Sequence, residues 1–141
     1  MGPFLLDVNV LLALAWPDHE YHDRAGLWFD HHQAHGWATC AVTQAGFVRI
    51  LSNRAFSPGA LSPQEALVVL EKNLSLPGHS FWKETITLAE AIKKCRAKIT
   101  GHRQVTDAYL AGLAVHHRGK LATLDKGIKA WVAAGAVEIV E

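Results

Sequence analysis

Residues 4–16 read FLLDVNVLLALAW, and the change of pattern at Asp7 decides the fold. Phe4, Leu5 and Leu6 form an apolar run that suits a short buried strand, and the run stops abruptly at a carboxylate. Beyond it, Val10 opens a Leu- and Ala-rich stretch that predicts a short helix over 10–16, ended by Pro17. A strand running almost directly into a helix, with an acid at the junction, is how an α/β layer fold begins.

Working outward, the same alternation continues. A helix is predicted over 18–34, with Asp18 as its cap and a stripe of His22, Ala25, Trp28 or Phe29, and His32. Gly36 breaks it, and 37–42 has strand composition. Thr43 caps a helix through 52, and 53–59 is a loop. Ser62, Pro63 and Glu65 make a capping box for a helix to residue 74. Further helices are expected over 83–97 and 104–118, the second terminated by Gly119. Strands follow at 121–124 and 137–140, separated by a helical turn at 126–131. Strands separated by helices imply a mainly parallel central sheet in one domain spanning residues 1–141. Open parallel sheets place their sites at the carboxyl ends of strands, where Asp7 and Asp125 both fall.

Composition narrows the function classes. Half of the 141 residues are hydrophobic, enough for a packed core and too many for a disordered chain. No apolar run is long enough to span a bilayer, and neither a secretory nor a myristoylation pattern opens the chain, so a cytoplasmic protein is expected. Cys40 and Cys95 make no metal-like pair and are expected to be reduced. The net charge of +1 does not by itself announce a polyanion ligand. Over 102–130, however, Arg103, Arg118, Lys120, Lys126 and Lys129 face only Asp107 and Asp125.

Asp7, Asp107 and Asp125 each stand in apolar or small surroundings at an element boundary. Aspartates there also cap turns and helices, so no single one identifies a site. If the fold brings the three together, they repel one another and need protons or a cation. Hard oxygen donors favour Mg²⁺ or Mn²⁺, which retain waters, and one such water can attack a phosphodiester.

The motifs carry a further signal. Residues 5–14 (LLDVNVLLAL), 105–114 (VTDAYLAGLA) and 121–127 (LATLDKG) resemble the first, third and fourth acidic motifs of PIN-domain proteins, in order. Residues 41–49 (AVTQAGFVR) resemble the second motif. The resemblance spans nearly the whole chain and is strongest to VapC-type toxins. It implies a PIN-like three-layer α/β/α fold and Mg²⁺- or Mn²⁺-dependent hydrolysis of RNA. It also implies a homodimer and a protein antitoxin seated in an apolar groove. That groove would be formed by the helices over 18–34 and 62–74 with Phe81 and Trp82. The resemblance makes Asp7, Asp107 and Asp125 the metal-binding acids. Asn9 and Thr106 would contact substrate or water, and Thr123 would orient Asp125. Arg49, Arg54 and Lys126 are candidate RNA contacts. The departure is Gln44, which stands where many PIN domains carry a glutamate. An amide keeps an acceptor oxygen but loses the charge.

That departure leaves an alternative: a catalytically weak or inactive PIN-like module that binds RNA or a partner. A haloacid-dehalogenase-like phosphotransferase is disfavoured, because Asn9 occupies the position of its second aspartate. The histidine-rich tract at 31–35 has helical spacing, but a solvated helix end explains it as well as a metal site does. The five tryptophans read as core or interface rather than stacking platforms.

Overall fold

The computed structural model describes residues 2–56 and 59–141; Met1, and Ser57 and Pro58 of the expected 53–59 loop, lie outside the described residues. Five strands form one sheet in which every pairing is parallel. They are β1 (Phe4–Leu6), β2 (Trp37–Thr39), β3 (His79–Phe81), β4 (Lys120–Thr123) and β5 (Val137–Ile139), in the order β3-β2-β1-β4-β5. The helices are α1 (Val8–Ala15), α2 (His22–His32), α3 (Ala41–Leu51), α4 (Pro63–Leu74), α5 (Leu88–Ala91) and α6 (Val105–His116).

Alternation along the strands divides the interior in two. Phe4, Leu6 and Trp37 point to one face, where Val10, Leu12, Trp28, Phe29, Phe47 and Leu70 from α1 to α4 cover them. Leu5, Ala38, Leu121, Val137 and Ile139 point to the other, under Leu110 and Leu113 of α6 and Ile128 and Val132 of the following turns. This is a three-layer α/β/α fold, with every residue of β1 buried because helices lie on both sides. The chain winds outward from β1 through β2 to β3, then returns across to β4 and β5. The reversal therefore lies between β1 and β4, the place where such sheets leave a crevice at their carboxyl ends.

Several local expectations need correction. Tyr21, not Asp18, is the N-cap residue of α2. Strand β2 stops at Thr39, and Cys40, not Thr43, is the N-cap residue of α3; the Thr43 hydroxyl instead accepts from the Cys40 N–H at 2.9 Å. Strand β3 was not anticipated: it is a half-exposed edge strand without apolar alternation. The helix expected over 83–97 shrinks to α5, because residues 83–85 are outside any regular element and tied elsewhere. The Glu84 carboxylate accepts from Val42 N–H at the start of α3, Thr85 pairs with His116, and the Lys83 carbonyl with His117. Helix α6 ends in a Schellman motif whose left-handed residue is Arg118 (φ 62°), not Gly119. Gly119 is required for closeness instead, since a Cβ there would sit 2.4 Å from the Pro3 carbonyl oxygen.

Candidate active site

The crevice is built around a threonine. Thr123 ends β4 beside the end of β1, wholly buried. Its hydroxyl donates to Asp7 Oδ2 at 2.8 Å and accepts from Asn9 Nδ2 and from the Asp125 N–H, both at 3.2 Å. One proton given and two received leave that hydroxyl fully satisfied. Asp7 itself is the N-cap residue of α1, and its other oxygen accepts from the Val8 N–H at 2.7 Å. Asn9 closes the ring, accepting from Leu124 N–H at 3.3 Å. Asp125 caps the next turn through the Gly127 N–H at 2.9 Å and stays exposed. Thus β1 and β4 are joined at their carboxyl ends by side chains as well as by the sheet.

Asp107 arrives from another direction. It lies in the first turn of α6, the helix that leads back into β4, so its carboxylate approaches the same edge of the sheet. Burial, followed by the charges of Asp7 and Asp125, pushes its pKa up to about 6. Asp7 is also raised, by burial first and by Asp125 last, against the lowering effect of the Thr123 and Val8 bonds. The three sequence-selected aspartates therefore share one electrostatic neighbourhood. Among the described residues, no three His, Cys, Asp or Glu side chains are grouped so as to hold one ion between them.

The remaining candidates separate. Thr123 bonds to the Asp7 carboxylate and the Asp125 backbone, not to the Asp125 carboxylate. Thr106 is exposed beside Asp107, and Lys126 is exposed beside Asp125. Arg49 lies in the last turn of α3, about 12 Å along the helix from its start at the site edge, and Arg54 lies beyond the helix end. Gln44, in the first turns of α3, is turned to β2: its Nε2 donates to Thr39 Oγ1 at 3.0 Å, and that hydroxyl stands 2.8 Å from His79 Nε2. Sequence reading did not single out Thr39, which lies within the strand expected over 37–42, or His79, because β3 carries no pattern that reveals it. Of the histidine tract, His32 stacks on Trp28 and bonds its carbonyl, a packing role.

A family profile for the PIN domain matches residues 4–131. The chain is 41% identical to ribonuclease VapC39 of Mycobacterium tuberculosis over 136 residues, covering 96% of this chain and 98% of the relative. It is 40% identical to ribonuclease VapC44 of the same organism over 134 residues, covering 95% and 94%. Among solved structures, it resembles VapBC2 from Rickettsia felis bound to a promoter DNA fragment, with a TM-score of 0.69 at 13% identity, covering 99% of each chain. It also resembles FitAB bound to a DNA fragment, with a TM-score of 0.63 at 20% identity over 96% and 94%. With that profile across the fold and those relatives across nearly the full length, the chain belongs to the PIN-domain family, among its VapC-type ribonucleases.

Proposed function

We propose that this protein cleaves RNA phosphodiester bonds as the toxin of a toxin–antitoxin pair, using Asp7, Asp107 and Asp125 with a divalent cation, Mg²⁺ or Mn²⁺. The observation that carries the reading is the acidic neighbourhood around Thr123 at the reversal of the sheet, with Asp107 raised to about 6. Such a cluster is relieved by a proton or a cation, and its all-oxygen donors suit a hard one. Mg²⁺ is commonly held by one or two carboxylates with waters completing its shell, so a three-carboxylate cage is not needed. When bound, the cation supplies Lewis acidity and a lowered water pKa.

The chain's own residues do the positioning. Thr123 fixes Asp7, Asn9 braces Thr123, and the start of α6 carries Asp107 to the crevice. The Thr106 hydroxyl and the Lys126 ammonium stand exposed beside the acids, where a phosphate or ribose would meet them. The antitoxin reading is supported by exposed Leu27 on α2 and Leu67 and Val68 on α4, apolar anchors of the kind an amphipathic partner uses. Trp82, included in that groove by sequence, is buried in the opposite core. A homodimer completes the proposed assembly. No helix among the described residues is long and apolar enough to cross a membrane.

Gln44 supports a second reading. Its amide nitrogen is spent on Thr39, and position 44 itself carries no charge. On this reading the protein binds RNA or a partner without cutting. Cleavage of single-stranded RNA in Mn²⁺, lost with a chelator and in Asp107→Asn, is the outcome expected of the enzyme. Folded wild-type protein that binds RNA but leaves it intact would establish the second reading.

A further inference from the structure

A separate concavity of about 540 Å³ runs along the outer side of α6. Its floor is Ala108, Ala111, Gly112 and Val115, spaced i, i+3, i+4 and i+7, so it follows one face of the helix for about 10 Å. Gly112 is a condition of its shape. A Cβ there would lie 2.0 Å from the Ala91 carbonyl oxygen, so only glycine lets α5 and the turns after it close this wall. Those turns carry Lys93, Lys94 and Lys98 on the rim, exposed, with Glu90 the one acid among the lining residues. None of the three lysines forms an ion pair among the described residues.

The groove points toward the carboxylates, although none of the three lines it. Ala108 directly follows Asp107, and Asp107 and Ala111 are one turn apart on α6. On the opposite wall, Trp131 closes the turn that Asp125 opens as its cap. A polymer held at the acids would reach the α6 floor within one helical turn. Unpaired lysines above an apolar floor complement a chain with charged phosphates on one side and flat bases on the other, and half-buried Trp131 offers a stacking face. An acidic amphipathic helix matches the floor and rim too, but the acids one helical turn away on α6 favour the nucleic acid.

We propose that this groove binds the single-stranded RNA flanking the scissile phosphate, its phosphates on Lys93, Lys94 and Lys98 and its bases against α6 and Trp131. The proposal rests on the ribonuclease reading and gives that site a second segment. Cys95 provides the probe, because it lines the groove while Cys40 is fully buried. With the cation chelated, a mixed-sequence RNA oligonucleotide is expected to slow alkylation of Cys95 several-fold. In the cleavage assay, Lys93→Ala/Lys94→Ala/Lys98→Ala is expected to raise KM about tenfold and leave kcat near wild type. Its log–log salt slope of binding should be shallower by about 2, at roughly 0.7 per lost phosphate contact on single strands. A wild-type KM and salt slope in the triple variant, with Cys95 alkylated at the same rate under saturating RNA, would overturn the proposal. So would protection of Cys95 by an acidic helical peptide but not by RNA. RNA that protects Cys95 yet is never cut supports the groove and removes the ribonuclease reading. RNA that is cut while Cys95 stays open removes the groove alone.

Discussion

Two strands of the sheet end in a wholly buried threonine, and the two threonines serve different chemistry. At the end of β4, Thr123 gathers Asp7, Asn9 and the Asp125 backbone. At the end of β2, Thr39 gathers Gln44 and His79. The first network contains an ionisable acid that burial disfavours in its charged form. The second is neutral: with Gln44 donating to Thr39, the Thr39 proton goes to His79 Nε2, and burial lowers the imidazole pKa. A neutral network is complete as it stands. An acidic one is complete only with a proton or a cation. On the proposed function, this difference makes the β1/β4 crevice the reactive end and the β2/β3 edge its structural flank.

Neutralising the acids breaks the comparison most severely. Asp7→Asn, Asp107→Asn and Asp125→Asn should each lower RNA cleavage on the order of 10³-fold in saturating Mn²⁺ while leaving circular dichroism unchanged. Near-wild-type turnover in any of them would remove that residue from the chemistry. The threonines themselves come next. Thr123→Val takes a hydrogen bond from a buried carboxylate and should cost about 2–3 kcal/mol of stability and 10- to 100-fold in activity. Thr39→Val, which breaks only neutral bonds, should cost about 1 kcal/mol and little activity. Chemical denaturation and turnover of the pair decide this. Equal losses in both variants would mean that the two networks are equivalent.

Much of this was legible before the structure, and the limits are physical. Residues 4–16 announce a strand, an acid and a helix because apolar run and break are local signals. The Ser62 capping box is equally local, and it forms as expected. The acids could be chosen because each sits at a boundary, and the resemblance ordered them. What could not be read was partnership across the chain. Thr123 lies 116 residues from Asp7, and its bond to that carboxylate has no sequence signature. Strand β3 is held by backbone pairing to β2 rather than by apolar pattern. Glu84 looked like a helix residue and instead caps α3 from 42 residues away.

The raised Asp107 pKa sharpens the comparison through pH. Its folded value, about 6, lies above the ordinary 3.8, so the folded state holds this proton more tightly than the unfolded chain does. The stabilising contribution is present in full below pH 3.8 and is lost as pH rises through about 6. Cation-free protein should therefore gain on the order of 1 kcal/mol at pH 7 from Asp107→Asn, after allowance for solvent screening, and gain nothing near pH 4. Thermal melts in chelator at the two pH values test it. A cation should erase the gain, and its apparent affinity should weaken as pH falls below about 6, where protons compete for the acid. A variant equally stabilised at both pH values would point to packing rather than charge.

The smallest expected effect concerns Gln44, where the two networks come nearest in chemistry. Gln44→Glu removes the donor to Thr39 and puts an acceptor in its place. The Thr39 proton then turns to the new carboxylate, and His79 Nε2 must supply the proton it formerly received. The imidazole pKa, lowered in the wild type, should rise in this variant, because the charged ring now faces an anion through one hydroxyl. The added charge also makes the β2/β3 edge resemble its acidic neighbour. Cation binding should tighten a few-fold, with a matching few-fold rise in activity at limiting metal, since a divalent ion compensates the extra charge. Gln44→Ala keeps Thr39 bonded to His79 and should weaken cation binding slightly without altering the His79 titration. Calorimetric Mg²⁺ and Mn²⁺ titrations, with imidazole NMR shifts followed against pH, separate these outcomes. If cation affinity is the same in wild type, Glu and Ala proteins while His79 shifts only in the Glu variant, Gln44 belongs to the neutral network alone. If affinity changes with the charge at position 44, the flank takes part in holding the cation, and the division between reactive end and structural flank lies beyond Gln44.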